Sequence, residues 1–116
     1  MQRCLVAQTG CCDAQNIMLI IGKDILSNFW QAHKDAENAL KTWLQIVEAA
    51  TWQNFVELKQ TYPTADLVGA CTVCNIRGPH YRLIAIVNYA AQVVSALYVL
   101  THKEYDKDKW KKDCNC

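Results

Sequence analysis

Four residues able to hold an anion or move a proton lie in the last third of the chain. They are Arg82 and, within THKEYDKDKW (residues 101–110), His102, Lys103 and Tyr105. Thr101 followed by Glu104 has the S/T-x-x-E form of a capping box, which predicts a helix beginning at Thr101. Its first turn then carries an imidazole and an ammonium, although the positive end of a helix dipole favours acids there. Cations gathered at that end point to an anion such as a phosphate. His102 and Tyr105, at i and i+3, share a helical face. Histidine exchanges protons near neutrality, and a phenol is mainly a donor. The plainer alternative is an ordinary solvated helix end, with Glu104 as a cap and Tyr105 packed on the sheet.

Arg82 raises a related question. In YRLIAIVNY one strand face is Tyr81, Leu83, Ala85, Val87 and Tyr89, and the other is Arg82, Ile84, Ile86 and Asn88. Both faces are largely apolar, which predicts a central strand. A guanidinium among aliphatic neighbours is costly unless it reaches a carboxylate, a carbonyl or an anionic ligand. A structural ion pair with Glu104 or Asp106 competes with the ligand reading.

The elements that must position these residues are readable from periodicity. IMLII (17–21) fits a short buried strand. Leu26, Phe29, Trp30 and His33 fall at i, i+3, i+4 and i+7, one apolar helical face. Asp35 is the expected cap of a second helix with the stripe Leu40, Trp43, Leu44 and Val47. Thr51 is the expected cap of a third, WQNFVELKQTY, with Trp52, Phe55 and Leu58 inward and Pro63 ending it. From Leu67 the period becomes extended: LVGACTVCNI, YRLIAIVNY and VVSALYVL read as three successive strands. RGPH, with Gly78, joins the first two as a tight hairpin, and AAQ is too short for anything but an antiparallel return. The expectation is an α+β domain with helices on one face of the sheet.

A chain of 116 residues, 52% hydrophobic and 20% charged with four Trp, is one globular domain. The net charge of +1 hides an asymmetry. Residues 1–68 carry five basic and seven acidic side chains; residues 69–112 carry seven and three. A basic second half is compatible with a nucleic-acid face. No run is long enough to span a membrane, and MQRCLVAQTGCCDAQN lacks the apolar core of a secretory signal. A cytoplasmic protein with reduced thiols is expected. Seven cysteines (4, 11, 12, 71, 74, 114 and 116), odd in number and crowded toward the ends, do not resemble a disulfide framework. In CTVC, Cys71 and Cys74 are three apart on a strand and point to opposite faces, so no metal site is expected.

NIRGPHYRLIAIVNY and VLTHKEYDKDKW together resemble the C-terminal half of the HigB family of toxins. These are ribosome-associated mRNA interferases of type II toxin–antitoxin systems, in the wider RelE/ParE-like group. The family pattern is an N-I-x-G hairpin, a Y-R-L strand and a closing T-H-x-E-Y-D with a basic helix. All three stand here in order. FWQAHKDAENALKTW and WQNFVELKQTYPTADLV resemble the family's helical first half, so the likeness runs from about Met18 to Lys112, and Met18 is a candidate internal start. The chain departs from the family at Cys74, where V-F-N-I is usual, and at Leu97, where a basic residue is usual.

The resemblance implies a RelE-like fold: an N-terminal strand and helices on an antiparallel meander, closed by a short basic helix. It divides the chain into an expected disordered extension (1–17), a toxin domain (18–112) and a tail (113–116). It implies an endoribonuclease that needs no metal or other cofactor and cleaves mRNA in the ribosomal A site. His102, Tyr105 and Lys103 would be catalytic, and Arg82, Arg77, Lys103, Lys107 and Lys109 would hold RNA. The implied partner is a cognate helix-turn-helix antitoxin, with no membrane involved. Two other functions compete: a catalytically impaired relative that still binds RNA, ribosome or antitoxin, and a small metal protein built on the cysteines.

Overall fold

The computed structural model describes residues 18–115; the expected extension (1–17) and Cys116 lie outside the described residues. The described residues open with strand β1 (Leu19–Ile21), then helices α1 (Lys23–Ala32), α2 (Glu37–Glu48) and α3 (Phe55–Thr61). Strands β2 (Asp66–Val68), β3 (Cys71–Ile76), β4 (Tyr81–Asn88) and β5 (Val93–Thr101) follow. Helix α4 (His102–Asp106) and a 3-10 helix (Lys109–Cys114) close the described fold. The five strands form one mixed sheet in the order β1-β5-β4-β3-β2, with β1 parallel to β5 and every other pair antiparallel.

The sheet has the expected centre and unexpected edges. β4 lies in the middle, as its two apolar faces predict. LVGACTVCNI is not one strand but two: Gly69, at φ 58°, turns the chain so that Val68 pairs with Cys71. Ile17 of IMLII lies outside the described residues, and the rest of the run is not a buried strand. β1 is an edge, with Met18 and Ile20 inward while Leu19 and Ile21 are 61% and 53% exposed. Gly22 after it is obligatory, since a Cβ there would lie 2.6 Å from the Ala96 carbonyl oxygen and φ is +92°.

The predicted helical stripes pack on one face of the sheet. Leu26, Leu40, Trp43, Val47 and Leu58 are buried against Leu83, Ala85, Val94 and Ala96. Two caps differ from expectation. Asp35 does not cap α2, because its carboxylate accepts the Tyr81 hydroxyl at 2.7 Å and pairs with Arg77. Thr51 does not cap α3; Asn54, closer to the helix, accepts the Glu57 N–H instead.

The other face is not left bare, which corrects the one-sided expectation. Cys71, Val73 and Ile84 are covered by Trp110 and Cys114 in a second, smaller core. A bulge helps to build it. In the β4–β5 ladder Ile84 pairs with Tyr98 and Ala85 with Ala96, leaving Leu97 as an extra residue. Alternation breaks there, and Leu97 and Tyr98 both pack on the second core. The boundary expected at Lys112 falls inside the 3-10 helix, whose Cys114 is fully buried.

Cys71 and Cys114 form a disulfide across a separation of 43 residues, their Cα atoms 5.2 Å apart. This corrects the expectation of reduced thiols throughout. Strand alternation turns Cys71 outward, as the spacing to Cys74 required, but nothing local announces that the returning chain lays Cys114 over it. Cys74 faces the helices as a buried free thiol.

Candidate active site

The end of the two central strands positions the candidate residues. Thr101, last in β5, pairs with Tyr81, first in β4. The chain then turns directly into α4. The capping box forms as the sequence predicts: Thr101 Oγ1 accepts the Glu104 N–H, and Glu104 Oε1 accepts the Thr101 N–H. Glu104 is thereby committed to the cap. The expected basic helix is two pieces, because Asp108 adopts φ 60° between α4 and the 3-10 helix. Five residues give α4 little macrodipole, so any attraction for an anion comes from its cationic side chains.

His102 and Lys103 are exposed in the first turn of α4. The His102 ring is oriented by Asp106 one turn on, with Nδ1 3.1 Å from Asp106 Oδ2. An ionised carboxylate only accepts, so Nδ1–H donates and Nε2 is left for chemistry. Both partners are mostly exposed, so the pair fixes a ring orientation more than it stabilises the fold. Asp106 was not among the expected site residues, although its i+4 spacing from His102 was a usable signal.

Arg82 finds carbonyls rather than either expected carboxylate. Its Nη1 donates to Pro79 O at 2.9 Å and Tyr81 O at 3.3 Å. The guanidinium carbon lies 5.3 Å from the centre of the Tyr105 ring. A guanidinium has five donors in a fixed fork, so these bonds through one nitrogen leave others for an oxyanion. Tyr105 also stacks on Trp110, with centroids 5.0 Å apart and planes 15° from parallel. Trp110 Nε1–H donates to the Tyr105 carbonyl at 3.0 Å. Arg82, Tyr105 and Trp110 thus form one packed unit beside the first turn of α4.

The remaining basic residues divide. Lys107 and Lys109 border a shallow depression of about 250 Å³ together with Lys112, Glu104, Trp110, Tyr98 and Leu100. Arg77 stands apart from it. At φ 55° in the β3–β4 turn, it reaches toward α2 and pairs with Asp35 at 3.2 Å. The Tyr81 hydroxyl bond holds the Asp35 carboxyl below its ordinary range, against desolvation, and the Arg77 charge adds a lesser lowering. The same bond, with burial, raises the Tyr81 phenol.

Comparison with protein families finds a match over most of the chain. The model for the HigB toxin, described as the RelE-like toxic component of a toxin–antitoxin system, covers residues 36–108. The chain belongs to this HigB toxin family. No curated protein sequence matched it. Arg77, Arg82, His102, Lys103, Tyr105, Asp106 and Lys107 lie within the matched span, and Lys109 is one residue beyond. A toxin of this family has an antitoxin as its partner. Among the described residues of the toxin, no helix is long and apolar enough to cross a membrane. Nor do three or more His, Cys, Asp or Glu side chains converge there as metal ligands.

Proposed function

We propose that this toxin is an endoribonuclease that cuts mRNA on the ribosome, and that a helix-turn-helix antitoxin restrains it. The substrate supplies its own nucleophile. A 2′-hydroxyl attacks the adjacent phosphorus, and the products are a 2′,3′-cyclic phosphate and a 5′-hydroxyl. This chemistry needs a base for the 2′-hydroxyl, cations for the pentacoordinate phosphorane, and an acid for the departing 5′-oxygen. His102 and Tyr105 are assigned the proton transfers, with Asp106 positioning the imidazole. Lys103 and the unused Arg82 donors face the phosphate. Lys107 and Lys109 hold the RNA backbone without reading bases, and Arg77 contributes at the far side of the β3–β4 turn.

The observation that carries this reading is the meeting of two elements. The capped first turn of α4 brings His102 and Lys103 to the strand end where Arg82 leans on Tyr105. Primer extension on cellular mRNA after induction without antitoxin is the test. Discrete new 5′ ends within coding regions are expected, and growth arrest without them would reject cleavage.

One observation favours a second reading, a toxin that binds RNA or ribosome and cuts poorly. Leu97 occupies the bulge and packs on the second core, where the family usually has a basic side chain. In that case arrest persists when His102 and Tyr105 are replaced.

A further inference from the structure

We propose that Cys71 and Cys114 are a thiol–disulfide modification site that clamps the Lys109–Cys114 helix beneath Tyr105. Its redox state then sets how firmly the α4 site is held. The catalytic consequence rests on the function proposed above; the clamp does not.

The pairing is built by the fold rather than by sequence proximity. Cys71 opens β3 on the outer face, and alternation sends Cys74 to the helical face. The returning chain is held over Cys71 by bonds that involve neither sulfur. Ala70 N–H donates to Cys114 O at 2.7 Å, and the Tyr98 hydroxyl donates to the Asp113 carboxylate. Both cysteines are fully buried at 0% exposure. The bond closes a loop that contains β4, β5 and α4, the elements carrying Arg82, His102, Lys103 and Tyr105.

Trp110 transmits the clamp to the site. It shares the 3-10 helix with Cys114, is 2% exposed, and touches Tyr105 through both its ring and its indole N–H. With the disulfide made, Trp110 cannot leave without distorting β3. With it reduced, noncovalent contacts alone hold the segment, and the stack supporting Tyr105 opens more often. Oxidation removes two electrons and two protons from the two thiols. A disulfide such as oxidised glutathione accepts them and becomes two thiols, while a dithiol reductant reverses the exchange through a mixed disulfide. Because both sulfurs are buried, exchange in either direction follows lifting of the 3-10 segment.

The test uses the full chain carrying Cys4→Ser, Cys11→Ser, Cys12→Ser and Cys116→Ser, equilibrated with oxidised glutathione or with excess dithiothreitol. Peptide mass mapping should find Cys71 joined to Cys114 in the oxidised sample and Cys74 free in both. Trypsin cleavage after Lys109, Lys111 and Lys112 should be about tenfold slower when oxidised, since proteolysis follows the population of the opened state. Adding Cys114→Ser, or Cys71→Ala as a second variant, should abolish that contrast. Single-turnover RNA cleavage should slow on reduction. Two free thiols under oxidant, or equal tryptic rates in the two states, would overturn the clamp. A preserved tryptic contrast with no RNA cleavage in either state would support the clamp and reject the proposed function.

Discussion

Replacing Trp110 with alanine removes the largest side chain of the second core, one that is 2% exposed. Three losses combine. Truncating a buried Trp to Ala costs about 3–5 kcal/mol in all, lost burial and the residual cavity being the largest share. Of this, the stack on Tyr105 accounts for about 0.5–1.5 kcal/mol. The indole bond to the Tyr105 carbonyl accounts for about 1 kcal/mol. The second core is shallow and water can refill part of the space, so the low end applies, about 3 kcal/mol. For a domain of this size that corresponds to roughly 12–15 °C in Tm. Trp110→Phe keeps a stacking ring and loses the hydrogen bond, so it should cost about 1 kcal/mol plus some area. Urea melts followed by circular dichroism give both values, with the midpoint falling and the m-value unchanged. A Trp110→Ala midpoint shift worth less than about 1 kcal/mol would refute the reasoning, because the C-terminal segment would then be an appendage and not a second core.

Three further predictions follow from single contacts. Thr101→Ala breaks the capping box and should cost about 1 kcal/mol, whereas Thr51→Ala, which removes no cap, should cost much less; thermal melts distinguish them. The Tyr81–Asp35 bond should shape stability at both pH extremes. Asp35, held below its ordinary range, contributes stability above the unfolded carboxylate pKa that is lost as pH falls through the folded value. Tyr81, held above its ordinary range, contributes stability below the unfolded phenol pKa that is lost as pH rises through the folded value. Tyr81→Phe should flatten both limbs relative to wild type, and unchanged acid and alkaline limbs would sink the assignment. Burial pushes the Cys74 thiol up to about 11, so alkylation at pH 8 should leave it unmodified until the domain unfolds.

Much of the fold was legible because its main signal is periodic. The stripes of α1 and α2, the central place of β4 and the capping box at Thr101 are local patterns, and each appears as read. The misreadings arise where another residue, near or far along the chain, competes for the same group. Asp35 has the chemistry of a cap, but a tyrosine 46 residues later takes its carboxylate. Arg82 was rightly expected to need a partner, yet the turn carbonyl of Pro79 lies nearer than any acid on α4. The 3-10 helix has the composition of a solvated basic end, the plainer alternative in the sequence, because Lys109, Lys111 and Lys112 fill half of it. Trp110 and Cys114, four apart and both apolar, were the signal of a buried face. At the candidate site, His102, Lys103, Tyr105 and Arg82 stand out by residue type and Asp106 by its i+4 spacing from His102, while the support that Trp110 gives Tyr105 appears only in three dimensions.

Single-turnover cleavage of a defined mRNA on stalled ribosomes, with wild type, His102→Ala, Tyr105→Phe and Arg82→Ala compared at matched binding, tests the central claim most directly. The account predicts that His102→Ala and Tyr105→Phe each slow cleavage by roughly 10² to 10⁴ while ribosome affinity and circular dichroism stay close to wild type. Arg82→Ala should lose rate and affinity together. Cleavage by His102→Ala and Tyr105→Phe at wild-type rates would contradict the account and place the chemistry elsewhere on the toxin.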